Sequence, residues 1–148
     1  MIIPDVNLLI YAYNTNSPEY PAARVWWEEA LTQDQPPIGL AWTVILGFLR
    51  ISTSRSAFSE PKRVAEATAV VRSWLAQPIV RLIVPGERHA DILFGLLDEV
   101  GVAGNLTTDA HLAALAIEYR AEVATNDTDF SRFHGLRWFN PLKSGRRR

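Results

Sequence analysis

Aspartates mark the ends of apolar stretches in three separate parts of this chain. Asp5 follows a short apolar run, Asp109 stands at the start of an apolar helical pattern, and Asp127 and Asp129 follow a second apolar run. No lysine or arginine lies in these stretches. Carboxylates that meet without a basic partner need a bound cation, because their charges repel and their burial is costly. Oxygen ligands suit a hard divalent cation, and such a site supports hydrolysis of phosphate esters.

Alternating strands and helices are expected to position these carboxylates. The hydrophobic pattern predicts strands at 1–4, 80–84, 122–125 and 136–139, and helices at 8–13, 20–31, 64–75, 89–100 and 108–120. Residues 40–51 are apolar almost all round and are predicted as a buried helix, with a buried strand as the less favoured alternative. This alternation indicates an α/β sandwich with a mainly parallel sheet.

The predicted sheet is expected to gather the acids at one edge. In open α/β sheets the site lies at the carboxyl ends of the strands, where Asp5 and Asp127 fall. Asp109 comes from the first turn of the helix 108–120, on the same face as the inward apolar residues of that helix. It can therefore point at the other two, and the three positions predict one site.

Each acid also has an ordinary structural interpretation. Asp5 fits a turn former, Asp109 a carboxylate that stabilises a helix start, and Asp127 with Asp129 an Asx turn. Asn7 offers an amide that holds a metal-bound water or fixes a neighbouring carboxylate, or that instead caps the following helix. The joint pattern favours a site over unrelated structural acids.

Length and composition bound the classes of function. The 148 residues are 48% hydrophobic, enough for one ordinary domain, predicted over residues 1–142 with a basic, disordered tail at 143–148. The chain has no cysteine, and its longest uncharged apolar stretch falls short of a membrane span, so we expect a soluble protein of the cytoplasm. Lys+Arg 15 against Asp+Glu 16 gives a net charge of −1. Nucleic acid would therefore need local patches, and Arg50 and Arg55 in an acid-free stretch are the candidates.

Other kinds of catalytic site find less support. The three histidines have no helical pairing and no cysteine beside them, so a zinc site is not expected, and His89 is interpreted as a core or helix-start residue. No serine stands in a Gly-x-Ser-x-Gly turn. A phosphotransferase with Asp5 as covalent nucleophile would want a catalytic lysine, and the chain has only Lys62 and Lys143.

Three motifs resemble PIN-domain ribonucleases, and most of all the VapC toxins of type II toxin-antitoxin pairs. They are the apolar strand followed by Asp5-Val6-Asn7, the segment 104–116 around Asp109, and the segment 125–130 that contains Asp127 and Asp129. The likeness extends to residues 135–142. It implies a PIN-like three-layer sandwich with helices on both sides of the sheet, Mg²⁺ or Mn²⁺ dependence, endonucleolytic cleavage of RNA and neutralisation by a small antitoxin. We also expect a homodimer.

Within this resemblance, Asp5, Asp109 and Asp127 match the first, third and fourth acidic positions of the family motif. The second, usually a glutamate, falls at about Gly47, and no acid lies anywhere from 35 to 59. Asp129 could supply the missing charge. The gap leaves the number of metal ions open, and it keeps the alternative of a catalytically weakened PIN domain that only binds RNA or protein.

The resulting hypothesis is that Asp5, Asp109 and Asp127 hold one Mg²⁺, partly through water. The ion would orient and deprotonate a water for in-line attack on an RNA phosphodiester, with Asn7 and Asp129 as further members of the site. A second metal ion would arrive only with the substrate phosphate.

Two adjacent tryptophans suggest a partner surface. Trp26 and Trp27 point about 100° apart on a helix, so one ring is expected to lie at the margin of the core. With Tyr11, Tyr13 and residues 40–49, they are predicted to form a groove for an amphipathic antitoxin segment that places a basic side chain near the acids. The alternative is that both rings are core residues.

Overall fold

Five parallel strands form the centre of the molecule. The computed structural model describes residues 1–143. Its strands are β1 (Ile2–Pro4), β2 (Ile38–Ala41), β3 (Val80–Ile83), β4 (Glu122–Ala124) and β5 (Trp138–Phe139). Their order across the sheet is β3-β2-β1-β4-β5, and every neighbouring pair is parallel. The carboxyl ends of all the strands therefore lie at one edge of the sheet, which we call the carboxyl edge.

Six helices cover the sheet. They are α1 (Val6–Tyr13), α2 (Tyr20–Thr32), α3 (Trp42–Ser52), α4 (Val64–Leu75), α5 (His89–Val100) and α6 (Thr107–Glu118). The chain steps from β1 to β2 to β3 in one direction through α1–α4, and returns to β4 through α5 and α6. Right-handed crossovers place these two groups on opposite faces, and α1–α4 contact one another while α5 packs on α6. The predicted three-layer sandwich is confirmed.

One element differs from its prediction. The sequence predicts a single buried helix over residues 40–51, but the structure ends β2 at Ala41 and begins α3 at Trp42. The helix is confirmed over residues 42–51, and the prediction was wrong for residues 40 and 41, because a continuous apolar run has no periodicity that separates a buried strand from a buried helix. The other predicted helices and strands are present, with small shifts at their ends. The corrected boundary puts the start of α3 at the carboxyl edge, beside the end of β1.

Interlocking aromatic rings hold the α1–α4 layer together. Trp74 packs against Tyr13, Trp27 and Phe48 with ring centroids between 4.6 and 5.6 Å apart. Its indole N–H also donates to the Tyr13 hydroxyl at 2.9 Å. Because the four rings come from four different helices, this cluster fixes the helices against one another. It thereby sets where the first turns of α1 and α3 lie at the carboxyl edge.

The buried apolar side chains of the described residues form one continuous hydrophobic core. Buried side chains from Ile2 to Phe133 belong to it, and Leu142 packs against it. Over residues 1–143, no helix has both the length and the apolar character needed to cross a bilayer. The single domain over 1–142 stays a prediction, and the predicted disordered tail lies outside the described residues except for Lys143.

Candidate active site

Asp5 stands where the central strand turns into a helix. Its backbone N–H donates to the Ala124 carbonyl at 2.8 Å, which extends the pairing of β1 with β4 by one residue. The side chain is 7% exposed, and its Oδ2 accepts a hydrogen bond from the Thr125 hydroxyl at 2.7 Å. Burial raises the pKa of Asp5 above its ordinary value, the bond from Thr125 opposes that rise, and the charge of Asp127 adds to it.

Thr125 connects three groups of the site. It follows β4 and is fully buried. Besides donating to Asp5, its Oγ1 accepts from the backbone N–H of Asp127 at 2.9 Å and faces the Asn7 amide nitrogen at 3.4 Å. A hydroxyl has one proton, so Thr125 donates to the carboxylate and accepts from the other two. Thr125 is a site residue that the sequence pattern did not predict, and the available signal was a polar residue at the end of an apolar strand.

Asn7 lies inside the first turn of α1. That helix begins at Val6 with Asp5 as its N-cap residue, so the alternative in which Asn7 caps the helix is wrong. The carbonyl oxygen of Asn7 is buried without a hydrogen-bond partner, and its amide nitrogen faces Thr125. The amide nitrogen of Asn7 is placed to fix Thr125, the donor to Asp5, while its carbonyl oxygen has no protein partner, so the role of holding a water stays a prediction.

Asp127 and Asp129 open a short 3₁₀ helix, Thr128–Arg132. The Asp127 Oδ1 accepts from the backbone N–H of Asp129 at 2.8 Å, so the Asx turn is present. The charge of Asp127 nevertheless acts on both Asp5 and Asp109. Turn formation and membership of a carboxylate cluster therefore coexist in the same residue.

Asp109 shows most directly that the acids converge. It lies half-buried in the first turn of α6. Burial raises its pKa from 3.8 to about 6, and the charges of Asp5, Asp127 and Asp129 add to the rise. Burial is the largest cause, and the further rise from the three charges requires that Asp5, Asp127 and Asp129 lie near Asp109. The structure thus brings the four predicted acids together from α6, the end of β1 and the segment after β4.

No protein cation neutralises this acidic cluster within residues 1–143. The ion pairs there within 4.0 Å are Arg24 with Glu28 and His89 with Glu118, and neither includes a cluster acid. Over the same residues, no three acid or histidine side chains are arranged as a ready-made cation cage. Mg²⁺ retains several waters and needs few direct protein ligands, so an open cluster of carboxylate oxygens fits that ion.

Position 47 serves the packing of α3 on α1. Gly47 lies in the middle of α3, and a Cβ there would be 3.1 Å from the Val6 Cγ2. The absent side chain lets α3 approach the first turn of α1, so Val6 fills the space in front of position 47. A side chain at this position would require the Val6 side chain to shift slightly, and no acid stands at position 47.

The two predicted RNA-binding arginines lie toward the far end of α3. Arg50 is in its last turn and Arg55 follows the helix, and both are exposed. At about 1.5 Å of rise per residue, Arg50 is roughly 12 Å along the axis from the start of α3 at the carboxyl edge. The structure does not bring either arginine into the acidic cluster, and their role stays a prediction.

The two adjacent tryptophans differ in exposure, as helix geometry predicts. Trp27 is fully buried in the aromatic core, whereas Trp26 is partly exposed. A cavity of about 290 Å³ beside Trp26 is lined by α2, the first residues of β1 and β2, and residues 139–143. Its lining includes neither Tyr11 nor Tyr13 nor any of residues 40–49. This cavity is therefore not the groove predicted around Trp26 and Trp27, whose ring centroids lie 5.9 Å apart, and that groove stays a prediction.

His89 begins α5 and is buried, as interpreted from the sequence. Its Nε2 lies 2.9 Å from the Nδ1 of His111 on α6, so the two rings join the helices by a hydrogen bond. Burial lowers the pKa of His111, and the neighbouring His89 lowers it further. The pair serves the contact between α5 and α6.

Neither lysine of the chain lies at Asp5. The Lys62 ammonium lies 5.7 Å from the centroid of the Tyr13 ring, and Lys143 lines the cavity beside Trp26. The phosphotransferase alternative therefore lacks the cation that its covalent chemistry needs.

Comparisons with known proteins point to one family. The PIN domain profile matches residues 2–136. The chain is 49% identical over 143 residues to Ribonuclease VapC33 of Mycobacterium tuberculosis, covering 97% of this chain and 99% of that protein. Among solved structures, VapBC2 from Rickettsia felis bound to a promoter DNA fragment has a TM-score of 0.69 at 20% identity, covering 95% of this chain and 98% of that chain. A toxin-antitoxin complex from Klebsiella pneumoniae has a TM-score of 0.60 at 18% identity, covering 95% and 98%.

Proposed function

The chain belongs to the PIN-domain family and, within it, to the VapC ribonucleases, and we propose that it is a metal-dependent endoribonuclease toxin neutralised by a cognate antitoxin. The observation that carries the proposal is the placement of Asp5, Asp109 and Asp127 at the end of β1, the start of α6 and the segment after β4, where no basic side chain of residues 1–143 pairs with them. The pKa of Asp109, raised to about 6 by burial and by three neighbouring acids, supports it, since carboxylates that repel one another prepare a site for a divalent cation. The named ribonuclease among the relatives supports RNA as the substrate class.

Asp5, Asp109 and Asp127 would hold one Mg²⁺ or Mn²⁺, and the exposed Asp129 would add negative charge beside them. A bound ion of this kind lowers the pKa of water and stabilises charge on phosphoryl oxygens. Thr125 and Asn7 keep the Asp5 carboxylate in one orientation, while Asp109 completes the acidic cluster from α6. Pre-set orientation matters because the cluster then does not rearrange when RNA binds.

The test is RNA cleavage by the purified protein in Mg²⁺, in Mn²⁺ and after chelation. We expect cleavage with either ion, none in EDTA, and little with zinc, because the cluster offers only oxygen ligands. Asp5→Asn should cleave at least about 10²-fold more slowly. Asp91→Asn, which changes an exposed acid in the first turn of α5, should match the wild type. Cleavage that persists in EDTA or in Asp5→Asn contradicts the proposal.

A catalytically weakened binding module is the second candidate function. Gly47 favours it, because Val6 fills the place where the family's second acid would reach. Wild-type protein that binds RNA but does not cleave it in Mn²⁺ would support the module. Cleavage gained by the double variant Gly47→Glu with Val6→Ala would then identify the missing acid as the cause.

We also propose a small antitoxin partner that places a basic side chain in the acidic cluster. Uncompensated carboxylates attract arginine or lysine as well as metal, and solved proteins of this fold include a toxin-antitoxin complex. Co-expression with the product of the adjacent small reading frame, followed by pull-down, tests the contact. We expect weaker capture by the double variant Asp5→Asn with Asp127→Asn, and Trp26→Ala reports on the cavity beside Trp26. Unchanged capture by the double variant contradicts the basic contact.

We further propose that the protein works as a homodimer in the cytoplasm. Phe94 on α5 is 60% exposed, and burying a phenylalanine ring of this kind between two copies would favour association. Size-exclusion chromatography with light scattering reports the oligomeric state. Phe94→Ser should shift the population toward monomer, and a wild type that is monomeric at high concentration contradicts the proposal.

A further inference from the structure

Trp42 differs from the other tryptophans in its exposure. All five tryptophans lie in the described residues; Trp27 and Trp74 are fully buried, whereas Trp42 is 49% exposed. Leu46, one turn further along α3, is 59% exposed. Residues four apart lie on the same helix face, so the two side chains form one apolar stripe open to solvent. Packing within the chain does not explain an indole in this position.

The register of the sheet places Trp42 beside the acidic cluster. Ile2 of β1 is opposite Ile38 of β2, and the same register puts Ala41 level with Asp5. Trp42 is the next residue. Adjacent strands lie about 4.8 Å apart, so the backbone of Trp42 lies next to the first turn of α1 at the carboxyl edge. The start of α3 therefore lies one strand spacing from Asp5, at the edge where the cluster would bind its ligand.

The charge around α3 favours a polyanion on this side. No acidic residue occurs from Gln35 to Ser59, and Arg50 is exposed further along α3. A nucleic acid strand that leaves the cluster over α3 therefore meets a basic side chain and no carboxylate of this segment. A protein segment would use the apolar stripe alone, whereas RNA would use both the ring and the charge.

We propose that Trp42 is the stacking residue for an unpaired nucleobase next to the scissile phosphate, with the strand continuing toward Arg50. This inference rests on the proposed ribonuclease function. Every base has a flat π-face, so stacking on an indole contributes affinity with little discrimination between bases. A paired base is not available to the ring, so Trp42 selects single-stranded over double-stranded RNA at this point.

The experiment measures RNA binding without cleavage, in the Asp5→Asn background. Fluorescence anisotropy follows a short fluorescein-labelled RNA of mixed sequence, first as a single strand and then annealed to its complement. Adding Trp42→Ala should weaken single-strand binding about tenfold and leave duplex binding unchanged. Trp42→Phe should retain most of the affinity because the ring is kept. Val64→Ala, which truncates a side chain on α4 that is 71% exposed, is the matched control and should change nothing.

Three outcomes overturn the inference. Single-strand affinity that is equal in Trp42→Ala and its parent removes the stacking contact, and equal losses for single strand and duplex show that the effect is not stacking. A Trp42→Ala protein that binds RNA normally but fails to capture the antitoxin assigns the stripe to protein docking.

Cleavage by the protein without the Asp5→Asn change separates this inference from the proposed function. If the wild type cleaves RNA with metal and Trp42→Ala has an unchanged KM, stacking fails and the ribonuclease proposal stands. If Trp42 is needed for single-strand binding and the wild type does not cleave, stacking stands and the ribonuclease proposal fails. If neither the wild type nor Asp5→Asn binds RNA, both the stacking inference and the ribonuclease proposal are contradicted.

Discussion

Helix α6 has an acidic residue near each end, and the two carboxylates have opposite surroundings, hydrogen-bond donors at one end and other carboxylates at the other. Glu118, in the last turn, accepts hydrogen bonds from the backbone N–H groups of Gly86 at 2.7 Å and Arg88 at 3.1 Å. The loop that contains Gly86 and Arg88 can approach Glu118 this closely because Gly86 has no side chain. A Cβ at position 86 would lie 2.7 Å from a Glu118 carboxylate oxygen. Asp109, in the first turn, instead faces three other carboxylates, and its pKa rises to about 6.

The contacts of the Glu118 carboxylate stabilise the fold, whereas Asp109 and the acids near it remain available to a ligand. Two backbone N–H groups donate to Glu118, whereas burial and like charges oppose the ionised form of Asp109. Without a bound cation, the cluster at the start of α6 therefore destabilises the folded protein, and the Glu118 contacts at the other end stabilise it. Removing the charge of Asp109 should therefore lower activity and raise stability, whereas removing the charge of Glu118 should lower stability and leave activity near the wild-type level.

The largest expected difference is in activity. Asp109→Asn should lower the rate of RNA cleavage at least about 10²-fold with the fold intact, because it removes a charge that holds the cation. Glu118→Gln should cleave near the wild-type rate, because its contacts are to a distant loop. Initial rates in saturating Mn²⁺ measure both. Losses of similar size in the two variants would erase the distinction between the ends of α6.

Thr125 extends the comparison to a residue that positions a cluster acid. Thr125→Val should reduce Mn²⁺ affinity or cleavage by about 10–100-fold, because the hydroxyl that orients Asp5 is lost. Thr125→Ser keeps the hydroxyl and should recover most of the activity. Calorimetric titration with Mn²⁺ and cleavage assays report the two effects. Equal values for the valine and serine variants would remove Thr125 from the site.

Stability should be lowered by changes at Glu118. Glu118→Gln weakens the bonds from Gly86 and Arg88 and should reduce the free energy of unfolding by about 1–2 kcal/mol. The exposed Glu99 on α5 supplies the control, since Glu99→Gln should unfold like the wild type. Urea denaturation in EDTA measures the difference, and an unchanged midpoint for Glu118→Gln would show that these bonds contribute nothing.

The smallest expected effect is a gain in stability that depends on pH. Asp109→Asn should stabilise the metal-free protein by about 1 kcal/mol near neutral pH, after allowance for solvent screening of a half-buried carboxylate. The pKa of Asp109 is about 6 in the folded protein against an ordinary 3.8, so the folded state holds an extra proton between these values. Stability contributed by that proton is lost as pH rises through this window.

The gain from Asp109→Asn should therefore be absent below about pH 4 and complete above about pH 6, because asparagine has no proton to lose. Urea denaturation of both proteins in EDTA across this range gives the curve. A gain that is constant with pH would have a cause other than the ionisation of Asp109.

The acidic positions could be predicted because each stands at a local change of pattern. Asp5 and Asp127 follow apolar runs, and Asp109 lies on the inward face of a periodic helix. The parallel sheet follows from strands that alternate with helices, and both predictions needed only short stretches of chain. Trp42 was missed because β2 and α3 form one uninterrupted apolar run, so the strand end that brings Trp42 to the carboxyl edge had no local signal.

The sequence by itself determined which groups could do chemistry: four aspartates without basic neighbours, no cysteine, and an acid-free segment around Arg50. Only the tertiary structure decided what those groups do to one another. Asp5 and Thr125 are 120 positions apart and meet because β1 pairs with β4, and the pKa of Asp109 is raised only once the fold buries its carboxyl and brings three other charges near it. Hydrogen bonds and Coulomb interactions depend on distance in space, and residue order specifies that distance only through the fold.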